Sequence, residues 1–279
     1  MDKKWYAVLD NGSGNLENKV VRFDQLITIK GLAESRTKGQ YLIENGLVKL
    51  NGKVCVKPSK KCHIDSIVEI IEELKYVSRA GYKLDGLLKE YKINLLGKTA
   101  CDIGSSTGGF VDCLLQNGVK KIYAVDVNVD QLHSKLSSDT RVVKIKKNAR
   151  EISKEDISDE LDLITVDVSF ISLEKILDNI FEIASDNTKI IALIKPQFET
   201  LKTHRGVVKD KNVHFEVLGN VIQYSQEVGL YCEYLTFSKM LGSDGNIEFF
   251  GVFSKEKGNI IVSKDDIIRI VETAWEELK

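Results

Sequence analysis

The stretch Ala100-Cys101-Asp102-Ile103-Gly104-Ser105-Ser106-Thr107-Gly108-Gly109-Phe110 leaves this chain few choices of fold. An apolar run ends beside an acid, a glycine-rich turn follows, and Phe110 to Asn117 repeats apolar residues at helical spacing up to Gly118. Strand, tight turn and helix in that order let backbone N–H groups come close to a ligand. A dinucleotide loop wants Gly-x-Gly-x-x-Gly, whereas here Asp102 precedes Gly104, Ser105 follows it, and a Gly108-Gly109 pair closes the turn. Asp102 would repel a pyrophosphate. It suits a cationic group such as the amino group of S-adenosylmethionine, so Asp102, Gly104, Ser105, Ser106, Thr107, Gly108, Gly109 and Phe110 are the expected contacts of that ligand.

The pattern around the loop is α/β, with helical and strand periods alternating as in a mostly parallel sheet. A helix is expected over Lys83–Tyr91 and strands over Lys98–Ile103, Lys121–Asp126 and Val142–Lys146, with a short helix over Gln131–Leu136. The strand Leu161–Asp167, the helix Leu173–Ile183 and the strand Lys189–Lys195 follow, and Pro196 stops the last of these. A long loop, Gln197–Lys211, leads to a helix over Val213–Glu227, strands over Gly229–Ser238 and Ile247–Ser254, and a terminal amphipathic helix over Asp265–Lys279. Asp126, roughly twenty residues past the loop at a strand end, is placed to accept both hydroxyls of a nucleoside ribose. Val127 beside it and Asn148 after the third strand complete the expected cofactor contacts.

Charges at the ends of buried strands are costly unless paired or used. Asp167 and Lys195 end two such strands, Lys83 lies in the helix that enters the domain, and Glu248 opens the last strand. Two lysines and two acids of this kind make either a reactive cluster beside a transferred methyl group or plain structural ion pairs.

A formal net charge of −1 conceals a basic segment: from Lys19 to Lys61 there are ten Lys and Arg against three Asp and Glu. Its elements are expected to be a helix from Arg22 to Ile27, a helix over Ser35–Glu44, a hairpin through Leu47–Leu50, Asn51-Gly52 and Val54–Val56, and a closing strand over Ile67–Leu74. Residues 1–19 form a lead of unassigned role, with Trp5–Leu9 a short strand and Asp10–Asn15 a turn. Arg22, Arg36, Lys38 and Lys49 are candidates for salt-sensitive contacts to phosphates. The five cysteines contain no Cys-x-x-Cys and read as reduced packing thiols. No window approaches the ~20 apolar residues of a membrane span, and no signal peptide opens the chain, so a cytoplasmic protein with no membrane partner is expected.

Tyr76-Val77-Ser78-Arg79-Ala80-Gly81-Tyr82-Lys83-Leu84, Asp102 to Phe110, Asp167-Val168-Ser169-Phe170-Ile171-Ser172-Leu173 and Ile194-Lys195-Pro196-Gln197-Phe198-Glu199 together resemble the TlyA family of ribosomal RNA 2′-O-methyltransferases, proteins often labelled haemolysins. The resemblance runs from Val20 to the C-terminus. It implies a small α+β RNA-binding module of the alpha-L type over 20–75, a linker over 76–82, and an FtsJ-like methyltransferase domain over 83–279. That domain would be a Rossmann-like α/β sheet with helices on both faces. Val21 to Leu26, Leu32 to Lys38 and Gly46 to Gly52 carry the module's pattern, and Arg22, Ser35, Arg36, Lys38, Lys49 and, in the linker, Arg79 are the implied RNA contacts.

The family's Lys-Asp-Lys-Glu set falls on Lys83, Asp167, Lys195 and Glu248. The implied reaction is methyl transfer from S-adenosylmethionine to a ribose hydroxyl, at a cytidine, with ribosomal RNA or ribosomal subunits as the partner. A ribose hydroxyl is a poor nucleophile, and Lys195 is placed to remove its proton or to stabilise the alkoxide. No metal is expected, because a sulfonium is already an activated methyl donor and His63, His133, His204 and His214 lack ligand spacing. The loop Thr200–Lys211, with His204, Arg205 and Gly206, is expected to act as a lid facing the substrate. Two other functions fit parts of the sequence. A non-catalytic ribosome assembly factor would not need the intact charged set, and a membrane-lytic haemolysin would need a spanning or lytic helix.

Overall fold

The computed structural model describes residues 20–44, 46–71, 75–200, 206–242, 245–258 and 262–278, in two compact units divided after Lys75. The lead over 1–19, with the strand and turn expected there, lies outside the described residues, as do residues 72–74 of the expected closing strand and His204 and Arg205 of the expected lid.

The first unit opens with a strand, β1 (Val20–Arg22), that runs straight into α1 (Phe23–Ile29). Phe23, Leu26 and Ile27 fall on one helical face and are fully buried against Leu42 and Ile43 of α2 (Arg36–Glu44). The hairpin forms as β2 (Val48–Leu50) and β3 (Lys53–Val54). Its turn residues Asn51 and Gly52 both have positive φ, 51° and 77°, the geometry that follows the twist of paired strands. A fourth strand, β4 (Lys61–His63), pairs antiparallel with β1, Cys62 opposite Val21. A fifth, β5 (Val68–Ile70), pairs with β2. Neither β1 nor β4 was expected, because three-residue strands rich in lysine or abutting a helix leave no alternation to read.

The second unit is a seven-stranded sheet wrapped on both faces. Its elements are α3 (Arg79–Glu90), β6 (Thr99–Ile103), α4 (Gly109–Gln116), β7 (Lys121–Asp126), α5 (Ser134–Ser137), β8 (Val142–Lys146) and β9 (Leu163–Val166). They continue with α6 (Leu177–Ile183), β10 (Lys189–Ile194), α7 (Pro196–Glu199), α8 (Lys211–Val228), β11 (Tyr231–Phe237), β12 (Phe249–Ser254) and α9 (Lys264–Leu278). The strand order is β11-β12-β10-β9-β6-β7-β8. From β10 to β8 all neighbours are parallel, and β12 alone runs against the rest. The chain winds outward from β6 in one direction and from β9 in the other, so the switch point where such sheets bind ligands lies between these two strands.

Alternate residues of each strand point to opposite faces, and each face has its own core. Ala100, Ile122 and Ala124 pack with Leu84, Leu87, Val111 and Leu114 of α3 and α4. Ile103, Val125 and Ile164 share a core with residues of α6, α8 and α9. The terminal helix packs on its own unit as expected: Ile267, Val271 and Ala274 are buried, and Trp275 Nε1 donates to His214 Nδ1 at 2.8 Å. No helix among the described residues is long and apolar enough to cross a membrane.

Several boundaries differ from the sequence expectation: α5 begins at Ser134 rather than Gln131, α6 at Leu177 rather than Leu173, and β12 at Phe249 rather than Ile247, which leaves Glu248 just ahead of the strand. Helix α3 begins at Arg79 rather than Lys83, because the helix starts as soon as Ala80, Gly81 and Leu84 can pack on the glycine loop. Pro196 ends β10 but also opens the short α7, a position where proline's missing N–H costs nothing.

The start of α3 lies directly on the glycine loop. A Cβ added to Gly109 would sit 2.3 Å from Ser78 Oγ and 2.8 Å from both Ala80 Cβ and Gly81 N. Gly109→Ala is therefore expected to cost about 1–3 kcal/mol by overpacking, read as a lower denaturant midpoint. Gly86→Ala, inside α3 with nothing within 4 Å of its added Cβ, should raise the midpoint through helix propensity.

Candidate active site

The glycine loop carries its carboxylate into the sheet. Asp102 is opposite Thr165 in the β6–β9 register, and the Thr165 hydroxyl donates to Asp102 Oδ1 at 2.6 Å. Asp102 is 1% exposed, yet its Oδ2 has no hydrogen-bond partner, and the same is true of the buried Ser105 Oγ. Buried polar atoms are rarely left unpaired unless something else is to meet them. Both residues line a small cleft of about 130 Å³, together with Ser78, Thr107, Phe110 and Lys195. Next to it lies a larger cleft of about 530 Å³ lined by Asp126, Val127, Asn148, Arg150 and Phe170. Gly104, Ser106, Asp167 and Ser169 belong to both clefts. Gly104 holds φ at 86°, and a Cβ there would lie 2.5 Å from the Asp167 carbonyl oxygen, so only glycine permits the approach.

Asp126 is half-buried at the end of β7. Its oxygens accept from the backbone N–H groups of Ser106 and Asn128, each at 2.9 Å. It therefore braces the loop as well as facing the larger cleft; Oδ1 accepts in addition from Gln131 Nε2 at 3.3 Å, and Oδ2 keeps a second acceptor position for a hydroxyl.

The four charged residues form two ion pairs. Asp167 follows β9 and Lys195 follows β10. Lys195 Nζ lies 2.6 Å from Asp167 Oδ1, off the line of a hydrogen bond to that oxygen, and donates to Ser169 Oγ at 3.1 Å. Lys83 Nζ donates to Glu248 Oε2 at 2.5 Å, with Glu248 buried. The β10–β12 register pairs Ile194 with Phe249, so Lys195 and Glu248 lie one step beyond it. Gln197, two residues past Lys195, donates to Glu248 Oε1 at 3.2 Å and so ties the turn after β10 to the second pair. Asp167 and Lys195 face the clefts; Lys83 and Glu248 line neither.

Several residues at the site carried no signal of their own in the sequence. Thr165, Ser169 and Gln197 act through single hydrogen bonds that no periodicity reports. Phe170 has φ of 64°, a costly conformation for an aromatic residue. It is 79% exposed, and its ring centroid lies 4.9 Å from that of Phe198. Glu199 accepts from Ser172 Oγ at 2.6 Å and from the Leu173 N–H at 3.0 Å. It thus ties the loop bearing Ser169 and Phe170 to α7, which bears Phe198.

The residues expected to meet RNA are dispersed in role. Arg22 and Arg36 both reach the buried Asp24. Ser35 Oγ accepts from the Lys38 N–H at the start of α2, and Lys38 Nζ stands 3.6 Å from Glu34. Lys49 is opposite Glu69 in the β2–β5 register. Arg79 Nη2 donates to the Leu241 carbonyl at 3.0 Å, within the second unit.

Comparison with known proteins places this geometry. The FtsJ-like methyltransferase family matches residues 76–255, and the S4 domain family matches residues 21–68. The chain is 41% identical to Hemolysin A of Brachyspira hyodysenteriae, over 84% of this chain and 99% of that one. It is 35% identical to the 16S/23S rRNA (cytidine-2'-O)-methyltransferase TlyA of Mycobacterium tuberculosis, over 82% and 88%. A solved structure of a hemolysin-named protein from Streptococcus thermophilus superposes with a TM-score of 0.73 at 35% identity, covering 92% of this chain and 96% of that one.

Asp102 gives the site a pH dependence. Burial pushes its carboxyl up to about 7, the Thr165 hydroxyl opposing and Asp167 and Asp126 adding to the rise. The folded protein thus binds a proton that the unfolded chain has already lost, so this group's contribution to stability falls as pH rises from about 4 to 7. A cation meeting Oδ2 favours the ionised form. Affinity for a ligand that brings a cation to Oδ2 is expected to rise with pH up to about 7, with a proton released on binding, as calorimetry in two buffers can read. Asp102→Asn should weaken binding and abolish that dependence.

Proposed function

From the premise that this chain belongs to the FtsJ-like methyltransferase family, as a TlyA relative carrying an S4 domain, we propose the reaction it performs. It transfers the methyl group of S-adenosylmethionine to a ribose 2′-hydroxyl of ribosomal RNA, at a cytidine. The observation that carries this reading is the Asp167–Lys195 pair beside Asp102 Oδ2 and Ser105 Oγ, two buried polar atoms without a partner in the same cleft.

Asp102 and Ser105 offer an acceptor and a hydroxyl to the amino-acid end of the cofactor, and Asp126 with Asn148 faces its nucleoside. Bound S-adenosylmethionine supplies a methyl group already activated on a sulfonium. Lys195 lines the cleft at the end of β10, held by Asp167 and Ser169, and there it receives the attacking hydroxyl. Lys195, an ammonium while it is paired with Asp167, would first give up a proton to solvent; its amine would then take the hydroxyl proton as the ribose oxygen bonds to the methyl carbon and the methyl–sulfur bond breaks to leave a neutral thioether. Asp167 stabilises the ammonium so formed, which serves the developing charge in a site of low polarity. Lys83 and Glu248 act from behind: Glu248, held by Lys83, accepts from Gln197 and so fixes the turn from which Lys195 projects. Such positioning matters, because small displacements from in-line geometry cost large factors in rate.

Phe170 supplies the acceptor side. An exposed ring held in a strained backbone at the mouth of the cleft fits the face of a nucleobase turned out of its stack. The basic S4 unit holds the RNA backbone, which is recognised chiefly by shape and phosphate contact.

The test is transfer of labelled methyl from S-adenosylmethionine to ribosomal RNA or purified subunits. Lys195→Met is expected to lower kcat about 10²- to 10⁴-fold with cofactor affinity retained; unchanged turnover would remove Lys195 from its role. Phe170→Ala should raise KM for RNA about tenfold, within the ~1–3 kcal/mol of base stacking, with a smaller effect on kcat.

A further inference from the structure

Among the described residues, Asp24 is the one charged residue in the core of the first unit. It stands on α1 with its side chain fully buried, next to Phe23 and two residues from Leu26. Four nitrogens converge on it. Arg22 takes it as a fork, Nε on Oδ1 at 3.0 Å and Nη2 on Oδ2 at 2.8 Å. Arg36 Nε from α2 and Gln40 Nε2, one turn further on, share Oδ2 at 3.1 and 2.8 Å. Burial raises the carboxyl's pKa, and the hydrogen bonds from Arg22, Gln40 and Arg36 more than reverse this, holding it well below the usual carboxylate range.

The consequence lies in the guanidinium groups. A nitrogen of each arginine touches the same carboxylate oxygen, so two guanidinium groups stand side by side. Their side chains remain 39% and 49% exposed. Each has five N–H donors; Asp24 takes two from Arg22 and one from Arg36, and the remainder belong to the exposed parts. Two cations beside one carboxylate leave a net positive charge, and their forks have the planar geometry that matches a phosphate. Lysines could not serve in this way, because an ammonium that meets Asp24 has no rigid second edge to present.

With Arg22 and Arg36 taken as the RNA contacts that the family resemblance implies, we propose that Asp24 is a positioning residue that sets their two guanidinium groups as one seat for a backbone phosphate. This rests on the reading of the unit as RNA-binding and adds to it a defined site, in which two side chains act as one device. The other account of Asp24 is that it neutralises the arginines and ties them to the core. The two accounts predict opposite signs when the carboxylate is removed.

The experiment is binding of the full-length protein to ribosomal RNA extracted from purified subunits, measured across a salt series. Asp24→Asn adds a positive charge to the unit, so charge alone predicts tighter binding. The positioning account predicts binding about tenfold weaker, with a shallower salt slope because a phosphate contact is lost. A second variant, Arg22→Lys with Arg36→Lys, keeps net charge and the Asp24 carboxylate. It decides the matter if Asp24→Asn does not fold, and is likewise expected to bind about tenfold more weakly. Tighter or unchanged binding by a folded Asp24→Asn, or native affinity in the double-lysine variant, would overturn the seat. A native protein that does not bind the RNA at all would instead overturn the reading of the unit as RNA-binding.

Discussion

Asp167 and Lys195 end neighbouring parallel strands whose preceding residues, Leu163 to Val166 and Ile190 to Ile194, are buried in the sheet. Two apolar strands pressed together oblige the first charged residue beyond each to meet the other, because either alone at that depth would be costly. The sheet thus delivers a carboxylate and an amine to one point. The glycine loop of β6 passes close enough that Gly104 cannot carry a side chain. The same burial that holds the strands in register sets the spacing of Asp167 and Lys195 at the switch point.

Three carboxylates around this point differ in environment and therefore in task. Asp102 is buried with one oxygen satisfied by Thr165 and one left open, a poor place for a charge until a cation arrives. Asp126 is half-buried and accepts from two backbone N–H groups, so it shapes the loop as much as it faces a ligand. Asp167 is committed to Lys195. In the first unit Asp24 is buried too, but with four donors around it. Full satisfaction fixes Asp24 among its donors, where partial satisfaction leaves Asp102 one oxygen open to a further donor.

The sequence conveyed the parts of this architecture that have a period or a fixed order. Strand and helix alternation located β6 to β12, and the charges at strand ends identified Asp167, Lys195 and Glu248 because a charge interrupting an apolar run has few explanations. What escaped was set by contacts distant in the chain. Thr165 became a partner of Asp102 only through the β6–β9 register. The pairing of Lys83 with Glu248, 165 residues apart, depends on β12 running antiparallel beside β10, which local pattern does not reveal. The strained Phe170 lies within the stretch Asp167 to Leu173, but nothing in residue type announces a positive φ. In the first unit, basic composition pointed to RNA while hiding that Arg22 and Arg36 converge on one acid.

The account stands or falls on which atom receives the methyl group. The direct measurement is to incubate the protein with ribosomal RNA and methyl-labelled S-adenosylmethionine, hydrolyse the RNA in alkali, and separate the products. Methylation of a ribose 2′-oxygen removes the nucleophile that alkali needs, so the account predicts label in alkali-resistant dinucleotides that yield 2′-O-methylcytidine on enzymatic digestion. Label recovered in single nucleotides as a methylated base would contradict it.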